Sequence, residues 1–311
     1  MVERNGYYSI IVLNHSKLYW FLFLLSGFAF SQSRLNALLT PSDSLVTSKR
    51  NTVVATEASL ATLSLVGLNQ LWYANYPQSN LHAVDDNGEW LQMDKLGHMY
   101  SSYHMGSMGA NALKWSGASR KSQLLYGATL GLAFMTTVEV FDGYSSQWGF
   151  SWGDMAANTT GAALFVSQEL LWKEQRIVPK FSFHTTSYAS QRPEVLGTSM
   201  SQQILKDYNG QTYWWSINMH SFFKQSKVPT WLNLALGYGA DGMLSGNANS
   251  YPSETPRSRQ FYLSLDADLT KIKTKSHFLK TIFYLFNTIK IPAPSVEYKG
   301  GTGFKFHSIY F

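Results

Sequence analysis

The stretch Phe261-Tyr-Leu-Ser-Leu-Asp-Ala-Asp-Leu-Thr270 alternates apolar and polar residues one by one, so every second side chain shares a face. A period of two marks a β-strand with unlike faces. Leu232, Leu234, Leu236 and Tyr238 alternate with Asn233, Ala235, Gly237 and Gly239 in the same way. Tyr213 to Phe223 and Phe304 to Phe311 predict two more strands, Phe181 to Thr186 a weaker one, and Ser276 to Thr288 a helix among them. The alternation suits a half-buried antiparallel sheet, and equally barrel strands with one face to lipid. Five or six strands fall short of the roughly eight in the smallest single-chain barrel. Lys305 and His307 also break the apolar spacing near Phe311. A sheet packed on helices is therefore expected. Gly237-Tyr-Gly-Ala-Asp-Gly242 follows a strand with no helical pattern behind it and reads as a β-turn.

Upstream of Pro179 the period changes. Asn51 to Trp72, Asp94 to Trp115, Gln123 to Asp142 and Trp152 to Trp172 predict four helices, separated by Gly- and Ser-containing breaks. Ser151 is placed to cap the fourth, with Asp154 in its first turn where a carboxylate suits the helix dipole. Small residues recur on these helices: Gly106, Gly109 and Ala110, then Gly127, Ala128 and Gly131, then Ala157, Gly161 and Ala162. Such spacing lets backbones approach closely in membrane bundles and in tight soluble ones alike. Both readings stay open.

At the amino end, Lys17 precedes the apolar run Leu18 to Phe30, and Ala29-Phe30-Ser31 supplies small residues at the positions a signal peptidase reads. The run is short of the roughly 20 residues of a spanning helix, so export with cleavage near Gln32 is expected. An uncleaved anchor or a core helix is the alternative. Removing residues 1–31 takes away Arg4, Lys17 and Glu3, and the net charge falls from +6 to (25 − 2) − (19 − 1) = +5. No basic block of the kind nucleic-acid binders carry is present, so no nucleic-acid partner is expected. The 311 residues contain no cysteine, which rules out disulfides, thiolate metal sites and a cysteine-borne lipid anchor within them. Aromatic residues at 15% against charged ones at 14% describe a chain that buries a great deal or faces lipid in places.

The resulting reading is α+β: a bundle of about four helices followed by a C-terminal antiparallel β-sheet. Its divisions are 1–31 signal peptide, 32–50 linker, 51–177 helical bundle and 178–311 mainly β.

Three of the helices each carry a polar pair near one end. Asp94 and His98 are four apart beside Lys95, Glu139 and Asp142 are three apart, and Asp154 and Asn158 are four apart, so each pair shares a helix face. In an antiparallel bundle the start of the second helix, the end of the third and the start of the fourth lie at the same end. The pairs are then expected to meet there. Glu139, Asp142, Asp154 and His98 offer oxygen and nitrogen ligands suited to a divalent metal ion of the Mg, Mn or Zn kind. Lys95 is equally able to neutralise the carboxylates in a buried network that fixes helix register. Proton transfer by His98 or Glu139 is the catalytic alternative. There is no Gly-rich phosphate loop, no His-Glu-x-x-His and no Gly-x-Ser-x-Gly elbow.

The ordered set Asp94-Lys95-x-x-His98, Glu139-x-x-Asp142 and Ser151-Trp-Gly-Asp154-x-x-Ala157-Asn158-x-x-Gly161 resembles the YfiM-like envelope family, predicted periplasmic lipoproteins of unknown function. It is also similar to the helical core of VanZ-like membrane proteins, over roughly residues 50 to 175. The remainder, with Arg259 to Leu269 and Ile289 to Pro294, resembles the longer YfiM-like form of Bacteroidetes-type bacteria. The resemblance implies an envelope location, periplasm or outer membrane, and a VanZ-like helical core, but no established chemistry; membrane or envelope components are the expected partners. Two departures stand out: no lipobox cysteine is present, and Asp142 adds negative charge where VanZ-like proteins usually carry Gln. The functions in view are an envelope protein holding a cation or lipid head group, a metal-dependent hydrolase or transferase acting on lipid or cell-wall intermediates, and a structural scaffold of an outer-membrane assembly.

Overall fold

The computed structural model describes residues 33–74, 76–251 and 256–310, so the expected signal peptide and its cleavage point lie outside the described residues. The chain is mixed α+β, with helices first and a six-stranded antiparallel sheet at the C-terminus. Helix α1, Thr47–Leu68, runs on into a wide turn at Asn69–Tyr73. Helix α2 is Met93–Trp115, α3 is Leu130–Gly143 and α4 is Trp152–Trp172. The third helix was expected to start at Gln123, but that stretch is a separate wide turn, Gln123–Gly127, joined to α3 at Ala128 and Thr129. Ser151 caps α4 as expected, its hydroxyl accepting from the Asp154 N–H at 3.1 Å.

The small residues set how closely the bundle packs. A Cβ on Gly161 of α4 would stand 2.2 Å from the Met99 carbonyl oxygen of α2, and one on Gly131 of α3 would stand 2.1 Å from that of Ser102. Both contacts are possible only without a side chain, so α2 is clasped between α3 and α4. Tyr103, Ala110, Ala128, Phe165 and Val178 fill the space behind this contact. Two stretches, Thr47–Tyr73 and Arg120–Gly143, are long and apolar enough to cross a membrane, and in the first only Val53 is buried.

Two short parallel strands, β1 (Ala83–Val84) and β2 (Phe150–Ser151), tie the loop after α1 to the start of α4. The main sheet is a meander of β3 (Ile177–Phe183), β4 (Gln211–Asn218), β5 (Leu232–Asp241), β6 (Ser258–Ala267), β7 (Ala293–Lys299) and β8 (Gly303–Tyr310). Helix α5, His277–Phe286, interrupts it between β6 and β7, as expected. The stretch Gly237 to Asp241 is not a turn but the end of β5. Gly237 stays in the strand because the Trp214 ring occupies the place of its side chain, 2.6 Å from an added Cβ. Strand β7 was not foreseen, because Pro294 interrupts its pattern. The proline falls at the β-bulge between Ala293 and Ser295, ahead of the first β6 partner at Ser295, so its missing N–H breaks no rung.

The alternation of β6 points the opposite way from that of an ordinary soluble sheet. Tyr262, Ser264 and Asp266 are buried, whereas Phe261, Leu263 and Leu265 are each 48% exposed. The register aligns Trp215, Leu236, Leu263, Val296 and Phe306 in one cross-strand row, and Tyr238, Phe261, Tyr298 and Phe304 in the next. On the other face, Lys180 and Asp266 pair at 2.7 Å with both side chains inaccessible, and Ser216 donates to the same carboxylate. Asn233 bridges Ser216 and Asn218 at 2.8 and 2.7 Å. Flat neighbouring strands lie about 4.8 Å apart, so β4 and β8 would be distant in a flat sheet. Yet the Tyr310 hydroxyl of β8 lies 3.2 Å from Thr212 of β4. The sheet is therefore strongly curled around its polar face.

Candidate functional site

The helix ends converge as the spacing predicts. Helix α2 begins after three consecutive residues with left-handed backbone, Trp90, Leu91 and Gln92 (φ 46, 50 and 66°), an expensive conformation without glycine. Hydrogen bonds from Trp90 N–H to Gly246, from Tyr238 to the Leu91 carbonyl, and from the Gln92 side chain to the Asn87 carbonyl hold it. This entry sets Asp94, Lys95 and His98 on the first turns of α2. Opposite them stand Asp154 and Asn158 on α4 and Glu139 on the last turns of α3.

Lys95 is the hub. Its ammonium lies 2.7 Å from Asp86, 3.3 Å from Asp94 and 2.8 Å from Asp154. Burial works against its charge, but Asp94, Asp154 and Asp86 outweigh it and raise its pKa. Beside it, the His98 ring touches both remaining sides of the cluster. Nδ1 is 3.2 Å from Asn158 Oδ1 and 3.3 Å from Glu139 Oε1. Nε2 faces Asp94 Oδ1 at 3.7 Å and Asp154 Oδ1 at 3.9 Å. Burial disfavours the imidazolium, yet Asp94, Asp154 and Glu139 together raise the pKa of His98. For Asp154, burial and then the Asp94 carboxylate push the pKa up to about 6.

Four carboxyl groups (Asp86, Asp94, Glu139 and Asp154) thus surround one ammonium and one imidazole, and burial pushes the Glu139 pKa up to about 8. Glu139 Oε1 and Asn158 Nδ2 are buried with no hydrogen-bond partner among the described residues, although Glu139 Oε2 accepts from the Ser151 N–H at 3.1 Å. The ligand atoms of Asp94, His98 and Asp154 lie within 4.8 Å of one another. Asp142 sits at the margin, where it accepts from the Tyr73 hydroxyl at 2.8 Å.

Three contributors were missed by the sequence reading. Asp86 reaches Lys95 from the loop after β1 and is held by Ser151 Oγ at 2.6 Å. Tyr208 donates to Asp94 Oδ1 at 2.8 Å, and Tyr73 to Asp142. All three lie in loops or at a helix end, where no periodicity flags them. The Asp85-Asp86 pair in a polar loop was the one available signal.

Residues 84–169 match the model of a family described as predicted periplasmic lipoproteins, DUF2279. The match takes in Asp86, all three polar pairs and Ser151. No curated protein and no solved structure matches the chain. The description agrees with the leader-like run in placing the protein outside the cytoplasm, as an exported cell-envelope protein.

Proposed function

We propose that this chain is a membrane-associated envelope protein whose helical bundle holds one divalent cation between Asp94, His98 and Asp154. The environment of the His98 ring carries the reading. Asn158 Oδ1 can only accept, so Nδ1 carries a hydrogen, and Nε2, once it gives up its proton, presents a lone pair toward two carboxylate oxygens. The two carboxylates favour a positive charge at that point, which a proton on Nε2 supplies in the cation-free protein and a divalent cation supplies in its place. A ligating histidine whose other ring nitrogen donates to an amide or carboxylate oxygen is the usual arrangement in metal sites. Glu139 and Asn158 then orient the ring, and Lys95 balances the charge left over. Asp142 lies outside this ligand set.

Membrane association is supported by the exposed apolar rows of the sheet and by the exposed flank of α1. The motif series supports kinship with YfiM-like proteins and their VanZ-like core, and the outward apolar strands favour an outer-membrane setting. A hydrolase or transferase acting on lipid or cell-wall intermediates would use the same cation, with His98 as a ligand and not the base. The titration of purified chain with Zn2+ and Mn2+, followed calorimetrically, tests the reading. One equivalent is expected to bind the wild type, and Asp154→Asn to bind roughly 100-fold more weakly with its circular dichroism unchanged. Absence of binding to the folded wild type would reduce the cluster to an ion network fixing helix register.

A further inference from the structure

A cleft of about 520 Å³ runs between the helices and the outward face of the sheet. Leu96 and Met99 of α2, Ala157 of α4, and Trp215, Tyr238 and Phe261 of the sheet form its walls. We infer that this cleft binds an acyl chain of an anionic phospholipid, with the head group at Arg259. Three observations lead there. The walls are apolar and the volume falls within the roughly 300–1,000 Å³ of sites that enclose small molecules.

The second is charge. Arg259, also in the lining, is exposed and donates only to neutral groups, Gln92 Oε1 at 2.7 Å and the Tyr238 hydroxyl at 3.0 Å. No carboxylate pairs with it among the described residues. A guanidinium at the edge of an apolar cleft complements an anion attached to a hydrocarbon chain, and its planar fork suits a phosphate. Lys95 reaches the same cleft but is committed to three carboxylates. Arg259 is therefore the cation free to meet the ligand.

The third is continuity. Trp215 and Phe261 belong to the same two cross-strand rows whose outer members, Val296, Phe306, Tyr298 and Phe304, are exposed. The cleft is thus the inner end of the apolar sheet face, and a chain leaving a bilayer under that face meets no polar barrier on the way in. The inference does not depend on the cation, and its failure leaves the cation site standing.

Brominated phosphatidylglycerol quenches nearby tryptophan fluorescence and serves as the probe, added to the detergent-purified full chain. The difference between wild type and Trp215→Phe isolates the signal of the cleft. Saturable quenching of that component at about one equivalent is expected. Arg259→Gln, an exposed change that leaves the apolar walls intact, is expected to weaken it about tenfold. Thr160→Phe, which fills the lining from an exposed position on α4, is expected to abolish it. Brominated phosphatidylcholine is expected to bind as weakly as the Arg259→Gln protein binds phosphatidylglycerol. Quenching of the Trp215 component that is unsaturable, or equal in wild type, Arg259→Gln and Thr160→Phe, would overturn the inference.

Discussion

His98 and His104 lie on one helix and have their pKa values shifted in opposite directions, up for His98 and down for His104. The His104 ring is buried, donates from Nε2 to the Pro179 carbonyl at 2.7 Å, and has its pKa pushed down to about 4 by burial, with Lys180 adding to the effect. A folded pKa below the ordinary 6.5 means that the stability from this group is complete above pH 6.5 and is lost as pH falls through 4. The loss is about 3 kcal/mol. Denaturant titrations at pH 7 and pH 4 should show it, and His104→Gln should remove that part of the acid sensitivity. Asp154 has the reverse sign. Its raised pKa favours the cation-free fold below pH 4 and ceases to do so as pH rises through about 6. A bound cation requires the ionised form, so stabilisation by added Mn2+ should grow between pH 5 and pH 7. Lys95→Met separates the two roles of the cluster. It should lower the stability of the cation-free protein, because carboxylates lose their counter-charge, while tightening cation binding in calorimetry. A purely structural network predicts only the first effect.

At the scale of elements, the glycine contacts between helices are the most exacting feature. Gly161→Ala forces a Cβ against the Met99 carbonyl and should cost about 2–3 kcal/mol of unfolding free energy in a denaturant titration, with loss of cation binding as α4 moves off α2. Gly67→Ala, on α1 with nothing near the added atom, should be neutral or stabilising by a few tenths to about 1 kcal/mol. These helices were legible because capping, period and breaks agree: Ser151, Asp154 and the small-residue faces each pointed the same way. Strand β7 was not, since Pro294 hides at a bulge that only pairing reveals. The convergence of Asp94, His98, Glu139 and Asp154 could be read from helix-end positions. Asp86 and Tyr208 could not, because the loops that deliver them are positioned by tertiary contacts, among them the left-handed entry at Trp90 to Gln92.

In the molecule as a whole, the sheet carries its polar residues inward and its apolar rows outward, around the buried Lys180–Asp266 pair. The period of two was plain in the sequence, but which face turned inward was not, since alternation alone is symmetric. An exposed apolar face of this extent belongs against lipid or a partner. The chain should therefore resist alkaline carbonate extraction from envelope membranes, and Leu263→Glu with Val296→Glu should release it. The cation site is independent of that partition and is the centre of the account. Anomalous diffraction from crystals grown with Mn2+ tests it most directly. One peak is expected about 2 Å from Asp94 Oδ1, Asp154 Oδ1 and His98 Nε2. A cluster with no peak there, its Lys95 contacts unchanged at saturating Mn2+, would contradict it.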